Sequence, residues 1–194
     1  MTIRPVFTLY SDFNCPFCYA LHERLYALRL LSRCEWRGVQ HAPHLPRPMK
    51  PWEGSKGSMA AELRHELALV RRLAPDLPIA LPAGKPHTGA AIERAIALLA
   101  QDRTKGMEFV REAYRVFWCE GQDLSDPKVL DQVARECVDV TRNSELGELF
   151  TAWATAWQAT GQAGVPLIVS PDGEMLVGCV PTEEIIRFFK PFDS

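Results

Sequence analysis

Cys15 and Cys18, two thiols separated by two residues, are the side chains of this sequence whose spacing is best suited to chemistry. Residues three apart on a helix share a face, so the second sulfur can attack a mixed disulfide formed at the first. Such a pair can alternate between a dithiol and a disulfide. Half of a zinc site and two inert buried thiols are the alternative interpretations of the same spacing.

The two cysteines stand where strand-type residues give way to helix-type residues. Residues 4–10 (RPVFTLY) favour a strand. Leucines recur downstream at helical spacing, namely Leu21, Leu25, Leu28 and Leu31. Pro16 suits the first helical position, which makes Cys15 the N-cap. Because the free N–H groups of Phe17 and Cys18 and the helix dipole favour a thiolate there, we predict that the pKa of Cys15 lies below its usual value of about 8.5 and that Cys18 stays protonated.

Length and composition are typical of one folded domain that does not bind nucleic acid. The chain has 194 residues, 47% of them hydrophobic, and a formal net charge of -2. This charge provides no electrostatic surface for nucleic acid or for an anionic membrane, so small molecules or proteins are the expected partners. The N-terminus has no apolar core of a signal peptide, and no stretch approaches the roughly 20 apolar residues of a membrane span. We expect a cytoplasmic protein, and its oligomeric state is open.

The order of the elements predicts an α/β fold. Residues 34–41 (CEWRGVQH) favour a second strand, which completes a β-α-β unit with parallel strands. Residues 42–52 contain four prolines and are expected to form an irregular loop. From residue 59 to residue 160 the pattern predicts about five helices, interrupted by a second proline-rich stretch. Within them Trp153 and Trp157 favour a core stripe over a substrate groove.

The C-terminal part of the chain returns to strands. Residues 166–170 and 174–178 flank Pro171-Asp172-Gly173, whose residues suit a tight turn, so we predict a hairpin. Residues 182–189 predict a closing helix with Thr182 as its cap. The complete order is therefore β-α-β, then helices, then β-β-α.

This order resembles that of the thioredoxin superfamily, and most of all the DsbA family with its helical insertion. The cysteine motif heads the first helix, and Gly164-Val165-Pro166 leads into the third strand. Similarity to the cytoplasmic FrnE-like branch is carried by three segments, namely DFNCPFCY (12–19), AYRVFWCEGQDLSDPKVL (113–130) and GVPLIVSPDGEMLVG (164–178). The resemblance implies one DsbA-like domain over residues 1–194. Its thioredoxin core would span about 3–42 and 162–191, and its helical insertion about 55–161.

The resemblance also implies roles for individual residues in a dithiol–disulfide oxidoreductase. Cys15 would be the attacking thiol and Cys18 the resolving thiol, and the substrates would be protein or small-molecule thiols and disulfides. Pro166 would be a cis proline that faces them and presents the backbone of Val165 to an extended substrate. Pro16 and Phe17 would complete the substrate contact, although the Phe17 ring is equally suited to simple packing. Separately, Asp12 precedes Cys15 by three residues and is a candidate proton relay, although a loop carboxylate commonly satisfies backbone N–H groups instead.

A second function fits the same resemblance. The 2-hydroxychromene-2-carboxylate isomerases and kappa-class glutathione transferases share the helically inserted fold and typically carry serine at the position of Cys15. They activate glutathione, which makes glutathione a candidate co-substrate here, whereas no bound cofactor and no metal are expected. Two cysteines in the motif favour redox chemistry. A noncatalytic, chaperone-like module with an inert dithiol is the third hypothesis.

The remaining cysteines and histidines receive structural interpretations. We predict that four isolated cysteines are small buried hydrophobic residues, namely Cys34, Cys119, Cys137 and Cys179. His41 and His44 lack the companions of a zinc site. His22, His65 and His87 are expected at the surface.

Overall fold

The sheet is built from strands of the N-terminal and the C-terminal parts of the chain. The computed structural model describes residues 6–52, 58–135 and 144–192. Its strands are β1 (Phe7–Ser11), β2 (Cys34–Gly38), β3 (Leu167–Val169) and β4 (Met175–Val177), arranged in the order β2-β1-β3-β4. β1 is parallel to β2 and antiparallel to β3, and β3 is antiparallel to β4. Leu9 at the centre of β1 lies opposite Trp36 on one side and Ile168 on the other.

Helix α1 (Pro16–Ala27) connects β1 to β2, and the helices between β2 and β3 form the insertion. These are α2 (Ser58–Leu73), α3 (Gly89–Gln101), α4 (Arg103–Trp118), α5 (Pro127–Ala134) and α6 (Ser144–Ala159). Helix α7 (Thr182–Phe189) closes the fold, and short 3-10 turns occupy Leu31–Arg33 and Lys190–Phe192. The predicted order of elements and the α/β fold class are confirmed. Within the described part of the chain, no helix is long and apolar enough to cross a membrane.

The core lies between the sheet and the helical insertion. Phe7 and Leu9 of β1 are fully or almost fully buried in one large cluster with Trp36 of β2 and Phe117 of α4. Trp153 of α6 packs edge-on against Trp36, with ring centroids 6.1 Å apart. Other side chains from three helices join this cluster, including Leu63, Leu67, Ile92, Ile96, Val110 and Tyr114. The apolar stripes of the sequence therefore bury the inserted helices against the strands.

The structure corrects two predicted helix ends. Helix α1 ends at Ala27, since Arg29 has a positive φ of 59° and reverses the chain, so Leu31 lies in the following turn. Helix α7 has Pro181 as its N-cap, so the prediction of Thr182 as the cap was wrong. The Thr182 hydroxyl instead accepts a hydrogen bond of 2.8 Å from Arg24 of α1. This contact ties the start of α7 to α1.

The corner between α3 and α4 is stabilised by the N-cap of α4 and by close packing of the two helices. The side chain of Asp102 accepts hydrogen bonds from the backbone N–H groups of Thr104 and Lys105 at 2.7 and 3.1 Å. One turn later Gly106 faces Leu99, and a Cβ added there would lie 2.5 Å from Leu99 Cγ and 2.7 Å from its Cα. The two helices can approach this closely because residue 106 has no side chain.

We predict that Gly106→Ala lowers the free energy of unfolding by about 1–3 kcal/mol, since the added methyl group forces α3 and α4 apart. Gly147→Ala is the matched control, because a Cβ at this exposed α6 position meets nothing within 4 Å. That variant should be unchanged or up to about 1 kcal/mol more stable. Urea denaturation of both variants makes the measurement, and equal stabilities would contradict the packing of this corner.

Candidate active site

The two cysteines occupy the junction of β1 with α1. Cys15 is the N-cap, with an extended backbone at φ -100° and ψ 119°, and Pro16 takes the first helical position as predicted. The Cys15 carbonyl accepts the N–H groups of Cys18 and Tyr19 at 3.1 and 3.2 Å, which begins the helix. Cys18 therefore lies one turn along α1, on the face of the helix that it shares with Cys15.

Both thiols are free and nearly shielded from solvent. Cys15 is 6% exposed and Cys18 is 1% exposed. The Cys15 thiol donates to the Val165 carbonyl at 3.4 Å, and the Cys18 sulfur accepts the Asp12 N–H at 3.4 Å. The peptide bond that joins Val165 to Pro166 is cis. The loop before β3 thus lies directly against the outer cysteine, although 150 residues separate them in the sequence.

The environment pushes the pKa values of the two thiols in opposite directions. Hydrogen bonding from the Cys18 thiol has the largest effect on Cys15 and lowers its pKa, and nearby N–H groups and the charge of His41 add to this against the effect of burial. Burial raises the pKa of Cys18 well above its usual value, as does the neighbouring Cys15. In the thiol form the Cys15 side chain makes no capping hydrogen bond to the helix. The outer thiol is nevertheless the one that ionises more readily.

Asp12 joins the motif to the end of β2. Its fully buried carboxylate accepts, through Oδ2, the His41 backbone N–H at 3.0 Å and His41 Nδ1 at 2.7 Å. Its Oδ1 is buried and has no hydrogen-bond partner among the described residues. Its backbone carbonyl accepts the Cys15 N–H at 3.2 Å. The residue predicted as a proton relay therefore contacts both cysteines through its backbone and His41 through its side chain.

Residues that follow β2 in the chain hold the junction of β1 with α1 in place. Trp118 of α4 donates from Nε1 to the Phe13 carbonyl at 2.9 Å, and the Tyr114 hydroxyl lies 2.6 Å from Ser11 Oγ. Asn14 is fully buried and donates to the Pro86 carbonyl at 3.1 Å. The loop between β1 and α1 is thus held at three points by residues that follow it by 72 to 105 positions.

Pro166 is buried, whereas Val165 and Phe17 are half-buried. Phe17, between the two cysteines, packs partly against the core. The Val165 carbonyl faces Cys15, and the Pro166 carbonyl already accepts the Gly178 N–H at 2.8 Å. The structure therefore brings Cys15, Cys18 and Val165 together.

Two sets of side chains differ from the sequence-based expectation. His22 was expected at the surface but is fully buried, because it shares the inner face of α1 with Cys18 and packs 5.3 Å from the Tyr114 ring. Burial lowers its pKa. Of the isolated cysteines that the structure describes, only Cys34 is fully buried, while Cys119 and Cys179 are half-buried. Cys119 donates to the Pro78 carbonyl, Cys179 accepts from Arg24, and Cys137 lies outside the described residues.

Sequence reasoning missed His41, although a signal was present. The C-terminal ends of parallel strands meet at one edge of a sheet, so residues after β1 and after β2 are expected to be neighbours. Asp12 directly follows β1 and His41 comes three residues after β2. Pairing an acid with a base at these two positions would have predicted the contact. Tyr114, Trp118 and Asn14 carry no comparable signal.

Comparisons with known proteins agree with this architecture. A family model described as a DSBA-like thioredoxin domain matches residues 6–188. No curated protein matches the chain significantly. Among solved structures, a probable DsbA oxidoreductase from Streptomyces coelicolor is 16% identical over 96% of this chain and 89% of its own, with a TM-score of 0.76.

Two other similar structures represent different chemistries. The cytosolic disulfide reductase DsbM from Pseudomonas aeruginosa, solved with GSH, is 16% identical over 96% of this chain and 95% of its own, with a TM-score of 0.66. A 2-hydroxychromene-2-carboxylate isomerase is 18% identical over 96% of this chain and 93% of its own, with a TM-score of 0.65. At these identities the structural comparisons show the fold alone.

We predict that iodoacetamide modifies Cys15 of the reduced protein at pH 7 more than about a hundredfold faster than Cys34, since only the thiolate reacts. Cys34 is fully buried, and burial raises its pKa to about 12. Timed quenching and peptide mass spectrometry give both rates. The same reaction in denaturant is the control and should remove the difference. Equal rates in the folded protein would contradict the ionisation pattern described above.

Proposed function

The chain belongs to the DSBA-like thioredoxin domain family, and on that premise we propose that it is a dithiol–disulfide oxidoreductase that cycles a disulfide between Cys15 and Cys18. The observation that carries the proposal is the unequal pair of thiols at the start of α1, with the pKa of Cys15 lowered and that of Cys18 raised. Cys15 is thus the thiol that ionises and attacks first, and Cys18 keeps its proton until the resolving step.

In the reductive direction, the Cys15 thiolate attacks one sulfur of a substrate disulfide. A bond forms between Cys15 and that sulfur, the substrate disulfide breaks, and the second sulfur leaves as a thiolate that takes up a proton. Cys18 then loses its proton and attacks Cys15, which releases the first substrate sulfur and leaves a Cys15–Cys18 disulfide. Two electrons pass from the protein to the substrate. The same steps in reverse oxidise a substrate dithiol.

We propose that Val165 and Pro166 receive the substrate. The Val165 carbonyl lies 3.4 Å from the Cys15 sulfur, and β3 begins only at Leu167, so that Val165 precedes the paired part of the strand. An extended chain that carries a disulfide can add its backbone there as a further strand. Pro16 and the half-buried Phe17 would bound the substrate on the α1 side. Asp12 would take part in proton movement.

Glutathione is the small thiol that we propose as a co-substrate, and the cytoplasm is the proposed location. The similarity to a cytosolic disulfide reductase solved with GSH supports both points. A fold match alone does not select between thiol exchange and glutathione-dependent isomerisation. The second thiol at Cys18 supports thiol exchange, because an isomerase that activates glutathione needs no resolving cysteine.

We predict that Cys15→Ser abolishes turnover of a peptide disulfide and that Cys18→Ser accumulates mixed disulfides, since the resolving attack is lost. Mass spectrometry of the quenched reaction detects these adducts. Cys119→Ser is the control, because it makes the same atomic change at a half-buried cysteine outside the motif and should leave turnover unchanged. Full activity of the Cys15→Ser protein would refute the proposed function.

Calorimetry of Cys18→Ser with reduced glutathione separates the two chemistries. Thiol exchange predicts a covalent adduct on Cys15 when oxidised glutathione is added, whether or not reduced glutathione also binds. Saturable binding of reduced glutathione without exchange would instead assign the protein to the isomerase or transferase class.

A further inference from the structure

An ion pair at the edge of the sheet joins Asp12, which directly follows β1, to His41, which comes three residues after β2. His41 donates to a single oxygen, Asp12 Oδ2, through its backbone N–H at 3.0 Å and through Nδ1 at 2.7 Å. The second contact fixes Nδ1 as a proton-bearing nitrogen, so Nε2 is the nitrogen that gains or loses a proton. Within the described residues no hydrogen bond involves Nε2. The imidazole is therefore held in place while it remains free to titrate.

The two partners differ in their access to water. The Asp12 side chain is fully buried, whereas the His41 side chain is 28% exposed. A group that exchanges protons between a buried site and solvent has to contact both. Asp12 contacts the motif, because its N–H donates to Cys18 Sγ and its carbonyl accepts the Cys15 N–H. His41 supplies the contact with water that Asp12 lacks.

The charges of His41 and Cys15 influence each other. Burial alone lowers the pKa of His41, but the hydrogen bond and the charge of Asp12 outweigh it, so that the pKa is raised, and a Cys15 thiolate raises it further. In return, the positive charge of His41 contributes to lowering the pKa of Cys15. Lys85, in the loop before α3, is the other charged group that acts on His41, and it opposes protonation.

A cation beside Cys15 favours its thiolate. The sulfur is 6% exposed, and removing it from water disfavours its charged form. The side chain makes no capping hydrogen bond in this structure, although the N–H groups of Cys18 and Phe17 favour the thiolate. Hydrogen bonding from Cys18 assists only while that thiol keeps its proton. A positive charge nearby stabilises the thiolate throughout the first step of exchange.

We propose that His41, held by Asp12, is the positioned cation that keeps Cys15 reactive near neutral pH and that returns a proton to the sulfur leaving in the first exchange step. This inference rests on the proposed function and deepens it. When Cys15 attacks, the substrate S–S bond breaks and the leaving sulfur carries the electron pair. His41 Nε2–H protonates that thiolate, and the neutral imidazole then regains a proton from solvent. Asp12 thus acts as the group that orients and charges His41.

We predict that His41→Gln slows alkylation of Cys15 by iodoacetamide about three- to tenfold at pH 6 and has little effect at pH 9. Loss of the positive charge favours the protonated thiol, so the profile of rate against pH moves to higher pH. Glutamine keeps a hydrogen-bonding side chain. His44→Gln is the matched control, because this exposed histidine lies three residues away in the same loop. Identical profiles for His41→Gln and the unaltered protein would overturn the inference.

A second measurement uses the unaltered protein and does not depend on how the variant folds. The titration of the His41 ring protons, followed by NMR, should show a higher pKa in the reduced protein than in the oxidised one, since a disulfide carries no thiolate charge. Coupling between two sites is reciprocal, so this difference has to accompany any effect of His41 on Cys15. A titration of His41 that is unchanged by oxidation would overturn the inference.

The outcomes for the two proposals are distinguishable. If Cys15→Ser still turns over disulfides, the proposed function fails whatever His41 does. If turnover requires Cys15 but neither the alkylation profile nor the His41 titration responds, only the role of His41 fails.

Discussion

The arrangement at Asp12 is the interaction on which the site depends. This residue directly follows β1, and through its backbone it contacts the N–H of Cys15 and the sulfur of Cys18. Its carboxylate is fully buried and needs a positive or donating partner, which His41 supplies from the end of β2. Because β1 and β2 are parallel and adjacent, their C-terminal ends deliver the two residues to the same edge. The parallel pairing of β1 with β2 therefore determines which residues meet at the site.

The helical insertion has a role in the site as well as in the core. A turn between a strand and a helix would be mobile if only its own residues held it. Here the indole of Trp118 and the carbonyl of Pro86 bind two residues of that turn, and the hydroxyl of Tyr114 binds the last residue of β1. The rings of Phe13 and Tyr114 pack 5.0 Å apart and exclude water from it. Residues of the insertion thus help to position the turn that carries the thiols and to bury it.

Hydrogen bonding, rather than burial, separates the reactive thiol from the others. Cys34 lies in β2 with its pKa raised to about 12, and burial also raises the pKa of Cys179. Cys15 is buried as well, yet the Cys18 thiol, neighbouring N–H groups and His41 reverse the effect of desolvation. Exposure alone does not identify the nucleophile in this protein. Cys15 differs because hydrogen bonding from the Cys18 thiol has the largest effect on its pKa and favours the charged form that reacts, whereas the arginine charges near Cys34 and Cys179 do not outweigh burial.

The sequence by itself determined the cysteine pair at a helix start, the order of strands and helices, and the parallel β-α-β unit. Each follows from patterns within about ten neighbouring residues, where spacing and turn residues act directly. The environment of Thr182 at the start of α7, the burial of His22 and the partners of Asp12 were decided only by the tertiary structure. Each depends on one long-range contact. Arg24 donates a hydrogen bond to Thr182, the Tyr114 ring packs against His22, and His41 donates a hydrogen bond to Asp12. Such contacts join residues 29 to 158 positions apart, and local periodicity holds no information about which distant side chain will lie beside them.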